Sequence, residues 1–220
     1  MDLTKIKQIA FEQMSERSSH SWKERGNKYT HGERVARLAL TLRQLLFPAD
    51  SSHDSILTVA AWFHDIDNGV DDHCKKGAAT TRALLEGLCE PAELNEITSI
   101  IAIHDERHGN RDAYSCWVKL HQDADLLDHF GTYEIWMNFL YAVPHDITLT
   151  EVVEYIQTGR LADDARYKSE LNYELSRAIY SEKSEFVGKF AERFAVETDG
   201  KFFDLEKIID NYKFMEGLPL

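Results

Sequence analysis

The chain has 220 residues, 43% of them hydrophobic, which is enough to bury a substantial core in one domain spanning 1–220. A formal net charge of −13 opposes nonspecific binding to nucleic acid or anionic lipid, and the longest nearly apolar run, 56–63, is far too short to cross a bilayer. Three cysteines without a CxxC spacing fit reduced thiols, and the opening stretch MDLTKIKQIAFEQ lacks a signal-type apolar run, so a cytoplasmic location is expected.

From Thr30, Val35, Leu38, Leu42, Leu45 and Leu46 follow helical spacing, with His31 at the entrance of the stripe and Pro48 as the stop. Ser51 or Ser52 is placed to cap a second helix, apolar nearly all round, whose last turn carries His64-Asp65 and whose exit is Gly69. A third helix is expected over about 74–88. A fourth starts at Pro91, with Ile97, Ile100, Ile101 and His104 on one stripe. The fifth, about 113–130, sets an apolar stripe (Trp117, Leu120, Ala124, Leu127) beside a polar one of His121, Asp125 and Asp128. Further helices are expected over 133–143, over 148–157 (Thr148 and Glu151 form a capping-box pattern), over 167–196 and over 204–215. No alternating strand pattern appears, so the expected class is all-α: a helical core over about 20–145 and a C-terminal helical extension over about 146–220.

Among the chain's His-Asp dipeptides, context selects one. His145-Asp146 follows Pro144 in a loop and reads as surface, whereas His64-Asp65 closes a buried apolar helix, where an unpartnered carboxylate would cost several kcal/mol. Two imidazoles with two carboxylates make a mixed N/O set suited to a divalent transition ion with positions left open for substrate.

The segments HGERVARLAL, AAWFHDI and DADLLD, in that order in a helical chain, resemble the three motifs of the HD superfamily of metal-dependent phosphohydrolases. The resemblance extends through HCKKGAATTRALLEGL, ITSIIAIHD and FVGKFAERFAVETDG, over about residues 20–200. It is similar to bacterial HD hydrolases with a QDADRLDAIG-like segment, some of which cleave nucleoside triphosphates to monophosphate and pyrophosphate. The resemblance implies an HD-type helical bundle with His31, His64, Asp65 and Asp125 as metal ligands. Mn²⁺ is expected first, with Co²⁺, Fe²⁺, Ni²⁺ or Mg²⁺ as alternatives and zinc disfavoured because no cysteine joins the set. Asp65, Asp67 or His104 is expected as proton acceptor, and Lys23, Arg25, Lys28, Lys75, Lys76, Arg107 and Lys119 as phosphate contacts. His73 is a weaker candidate beside His104 for a second ion. Asp128 reads as a partner of a ligand histidine, while Asp123, about 200° round the helix from that stripe, reads as surface.

There are departures from the family pattern. Asn68 stands where relatives often carry a glutamate, Leu126 stands where they carry an arginine, and KERGNKYT separates His20-Ser21-Trp22 from His31. The expected substrate is a small phosphorylated molecule, a nucleotide first, with no membrane or nucleic-acid polymer as partner. The alternatives are a nucleoside monophosphate phosphatase, a cyclic phosphodiesterase, a di-iron oxygenase of the same fold, and a non-catalytic ligand-sensing or interaction module.

Overall fold

A computed structural model describes residues 1–109 and 111–216, and all regular structure among them is helical. The first half comprises α1 (Leu3–Met14), α2 (Asn27–Leu46), α3 (Asp54–Phe63), α4 (His73–Leu85), α5 (Pro91–Ala102) and α6 (Cys116–Asp128). The second comprises α7 (Thr132–Ala142), α8 (Leu149–Glu154), α9 (Arg160–Glu170), α10 (Glu174–Thr198) and α11 (Leu205–Glu216). The all-α expectation holds. No described helix is long and apolar enough to cross a membrane.

Several boundaries differ from the sequence pattern, each for a local reason. Helix α3 starts after His53 rather than at a serine cap and ends at Phe63, so His64 is its C-terminal cap and Asp65 lies in the turn beyond. Helix α4 stops at Leu85, where Gly87 takes a left-handed φ of 77° that closes the turn. Helix α6 starts at Cys116 because the Ser115 hydroxyl accepts from Val118 N–H (3.3 Å), and Gly131 at φ 80° turns the chain into α7. The Thr148/Glu151 capping box is formed, and α8 runs on through a π turn (Tyr155–Gly159) into α9.

The segment 167–196 is two helices rather than one, and the break coincides with the one buried residue read as surface. Asp123 of α6 is fully buried. Its carboxylate accepts from the backbone N–H groups of Asn172 (2.7 Å) and Tyr173 (3.0 Å) and from Asn172 Nδ2 (2.8 Å). Those N–H groups are turned away from a helical ladder, so α9 must end and α10 begin there.

Helix α2 packs on α3 and α6, α3 also meets α5 and α1, and α5 meets α4. The main core is built from fully buried Val35 and Ala39, Leu57 and Ala60, Ile97 and Ile101, and Leu120 and Ala124, with Ile6 and Met14 of α1 joining it. A smaller cluster of Ala142, Val152, Ile156, Val187 and Ala191 holds the C-terminal helices together. At Gly32 the backbones of α2 and α3 touch: a Cβ there would sit 2.8 Å from Ala61 O and 3.0 Å from Trp62 O. His31 precedes that contact and His64 follows it, which brings the two imidazoles together, their centroids 4.9 Å apart and their planes at 64°.

Candidate metal centre

The four expected ligands come from three elements and meet at one end of the bundle. His31 Nε2 lies 3.1 Å from His64 Nε2 and 3.1 Å from Asp125 Oδ1, while His64 Nε2 lies 3.5 Å from Asp125 Oδ1 and 3.8 Å from Asp65 Oδ1. His31, His64 and Asp125 are all buried, and Asp65 is partly so.

The outer hydrogen bonds decide which nitrogen faces inward. His64 Nδ1–H donates to Ala61 O (2.8 Å), a carbonyl left free by the end of α3. His31 Nδ1–H donates to Asp128 Oδ2 (2.8 Å), and Arg34 holds that same carboxylate through Nε (2.8 Å) and Nη2 (2.8 Å). In the neutral imidazoles both Nε2 atoms therefore present lone pairs toward each other. The buried Asp125 Oδ1 beside them has no hydrogen-bond donor. Two lone pairs and an unpartnered carboxylate oxygen in contact repel unless a cation or a bound proton lies among them, and a buried acceptor left alone costs about 1–3 kcal/mol or more when charged. The donor set fits a divalent ion, with the outer partners orienting each imidazole as metal ligands require.

The electrostatics match this crowding. Burial works against charge on His31, but the carboxylates of Asp125 and Asp128 outweigh it and carry the imidazole up to about 10. His64 is also raised, since Asp65 and Asp125 overcome its burial. Burial opposes ionisation of Asp65 and Asp125, yet the histidines hold both well below the ordinary carboxylate range. Behind the cluster, His121 is fully buried, has no partner at either ring nitrogen, and is kept neutral by burial and by the neighbouring imidazoles.

A small cavity of about 110 Å³ opens over the ligands and is also lined by Lys23, Asn68, His104 and Arg107. His104 repeats the geometry of His64 at the end of α5: Nδ1–H donates to Ile101 O (2.7 Å), and Nε2 faces Asp65 Oδ1 at 3.8 Å. Arg107 spans the opening, with Nη2 on Asp125 Oδ2 (2.5 Å) and Nη1 on Asp105 Oδ1 (3.1 Å). Asn68 Nδ2 donates to Asp65 Oδ2 (3.0 Å), so the residue in the glutamate position orients a ligand rather than accepting a proton.

Other expected residues are not brought there. Asp67 turns outward and accepts from Thr80 Oγ1 (2.6 Å). Lys28 is buried and donates to Asn68 O (2.6 Å), bracing the turn after His64-Asp65. Arg25 is exposed and paired with Glu16, and Lys75 and Lys76 lie exposed on α4. Lys119 lines a separate cavity with Arg111, Asn172 and Tyr173.

The sequence reading also missed residues. His129 lines the cavity with Nε2 3.7 Å from Asp125 Oδ1, and its signal was the i+4 spacing from Asp125. Arg34, three residues after His31, was a readable partner for Asp128. Cys74 joins His73, His104 and Asp105 in a second group whose donor atoms all lie within 4.8 Å of one another.

No protein-family profile and no curated protein matches the sequence. Solved structures match the fold. An HD-superfamily hydrolase from Bacillus thuringiensis has a TM-score of 0.65 at 20% identity, over 90% of this chain and 97% of that one. The Lin1889 protein of Listeria innocua has a TM-score of 0.59 at 23% identity, over 90% and 98%. Bacillus subtilis YpgQ, solved in complex with ADP, has a TM-score of 0.57 at 23% identity, over 86% and 94%. The protein therefore has the helical fold of the HD superfamily, as its motifs imply.

Proposed function

We propose that this protein is a divalent-metal-dependent phosphohydrolase acting on nucleotides, with nucleoside triphosphates split to monophosphate and pyrophosphate. The observation that carries this reading is the convergence of the Nε2 atoms of His31 and His64, each ring fixed by its Nδ1 hydrogen bond, on a buried Asp125 oxygen. His31, His64, Asp65 and Asp125 hold the ion. Mn²⁺ fits the mixed donor set first, and Co²⁺, Fe²⁺, Ni²⁺ and Mg²⁺ are compatible with it. A divalent ion there supplies Lewis acidity toward a phosphoryl oxygen and toward the attacking water.

The chain's own residues supply the rest. Asp65 Oδ1 stands 3.8 Å from both His64 Nε2 and His104 Nε2, placed to orient the water, and either Asp65 or His104 accepts its proton. Arg107 and Lys23 face the same opening and neutralise charge on the substrate and leaving group. The nucleotide preference is supported by the ADP complex of YpgQ, a protein of the same fold. The group of His73, Cys74, His104 and Asp105 favours a two-ion version of the same centre.

Metal analysis of the purified chain separates one ion from two. Incubation with Mn²⁺ and nucleoside tri- and monophosphates, cyclic nucleotides and sugar phosphates tests the reaction. Pyrophosphate release from triphosphates is expected. Orthophosphate from monophosphates would replace the reading with a phosphatase, and no hydrolysis with any divalent ion would leave a non-catalytic module.

A further inference from the structure

Beside the small cavity over the ligands lies a larger one of about 810 Å³, within the range of small-molecule sites. His20, Lys23 and His129 line both, so the two cavities adjoin along one crevice at those side chains. The other residues of the larger cavity are not used by the metal centre and need a separate account.

One wall is aromatic. Trp22, from the loop between α1 and α2, stacks on His20 at 5.6 Å with ring planes 7° apart and meets Tyr141 of α7 edge-on at 5.1 Å. The loop is tied to α7 where Trp136 Nε1 donates to Glu24 Oε1 (2.5 Å), which fixes the distance between the two parts of that wall. Leu126, Phe130 and Met137 add apolar surface.

The charges give the crevice a direction. Away from the metal end the lining carries Glu134, Glu151 and Asp163, and the Arg160 guanidinium is already engaged by Glu134 (2.5 Å). A polyphosphate entering there would meet carboxylates. At the junction stands Lys23, whose ammonium lies 5.5 Å from the Trp22 ring and faces the metal-side acids. Consecutive residues of one loop thus present a ring to one cavity and a cation to the boundary with the other.

We propose that the larger cavity seats the nucleobase of the substrate, stacked against the Trp22–Tyr141 wall, with Lys23 marking where the organic group ends and the phosphates begin. This rests on the phosphohydrolase reading and adds to it the location and polarity of the organic half. An aromatic, uncharged group gains from burial and stacking in such a space, whereas a sugar phosphate or an inorganic polyphosphate has nothing to place there.

The test uses ligands without phosphate. Adenosine and guanosine, titrated into the Mn²⁺-loaded chain by calorimetry or saturation-transfer NMR, are expected to bind, and ribose 5-phosphate is not expected to displace them. Asn138→Trp, which narrows the cavity from a partly exposed position on α7, should weaken nucleoside binding about tenfold or more with helicity unchanged. Trp22→Ala should do the same from the opposite wall. Absence of nucleoside binding, or binding untouched by both variants, overturns the assignment. Nucleoside binding without hydrolysis of any phosphate would keep the cavity's role and remove the enzymatic reading. Hydrolysis of tripolyphosphate and sugar phosphates without nucleoside binding would do the reverse.

Discussion

Asp123 and Asp125 lie on the same helix, 0% and 4% exposed, and their surroundings are opposite. Asp123 is saturated: two backbone N–H groups and a side-chain amide donate to it from the start of α10. Asp125 has Arg107 on one oxygen, while the other faces the Nε2 atoms of His31 (3.1 Å) and His64 (3.5 Å) and has no backbone or amide donor. Burial raises Asp123 from the usual carboxylate value, whereas the histidines overcome burial at Asp125 and hold it well below. Identical side chains in similar burial are thus told apart by whether their lone pairs are filled. The filled one fastens helices together, and the other is the one the proposed ion would use.

That contrast can be broken in order of expected effect. Asp125→Asn should reduce hydrolysis to background and metal content to near zero while circular dichroism stays helical. Retained metal with full turnover would remove Asp125 from the centre. Asp123→Ala strands two backbone N–H groups at about 1–3 kcal/mol each. It should therefore lower the unfolding free energy by about 3 kcal/mol in denaturant titration, with metal bound per folded chain unchanged. A loss of metal without a loss of stability would reverse the assignment. Asp128→Asn, which touches the centre only through His31, should weaken metal affinity by about 10- to 100-fold, read by competition with a chelating dye.

The smallest effect is a proton count. His31 is raised from 6.5 to about 10 in the metal-free chain, so its imidazolium contributes stability below pH 6.5 that is lost as pH rises through about 10. At pH 8 the ion must displace that proton, and metal uptake should release at least one proton per ion in an unbuffered titration. Uptake with no release would place the proton elsewhere.

Much of the centre was legible before the fold. His31, His64-Asp65 and Asp125 each end or border an apolar stripe, and stripes of buried helices converge, so position along the stripe foretold nearness. The inward aim of His104 followed from its row with Ile97, Ile100 and Ile101 in the same way. Asp123 was not legible because a single helix's pattern shows only the face it buries first. Helix α6 is covered on its other side by the α9–α10 junction, and no glycine or proline marks that junction in LNY. The misplaced surface residue and the missed helix break were one event: the carboxylate captures the N–H groups that would have continued the helix. Among the basic residues, Lys23 and Arg107 do line the opening, while Arg25, Lys28, Lys75, Lys76 and Lys119 lie elsewhere for another reason. Charge near a motif does not say which way a side chain turns, and Lys28, closest of them to His31 in sequence, is spent bracing Asn68 O.

The backbone contact at Gly32 has a consequence for ion choice. The gap between the two imidazoles follows from how far α2 sinks onto the carbonyls of Ala61 and Trp62, so close that a methyl group on residue 32 would come within 2.8 Å of Ala61 O. A residue with no side chain, touching no ion, therefore acts as the calliper of the centre. If the proposed ion is held between His31 and His64, the radius admitted there would be set by the closeness of two helices as well as by the ligands themselves.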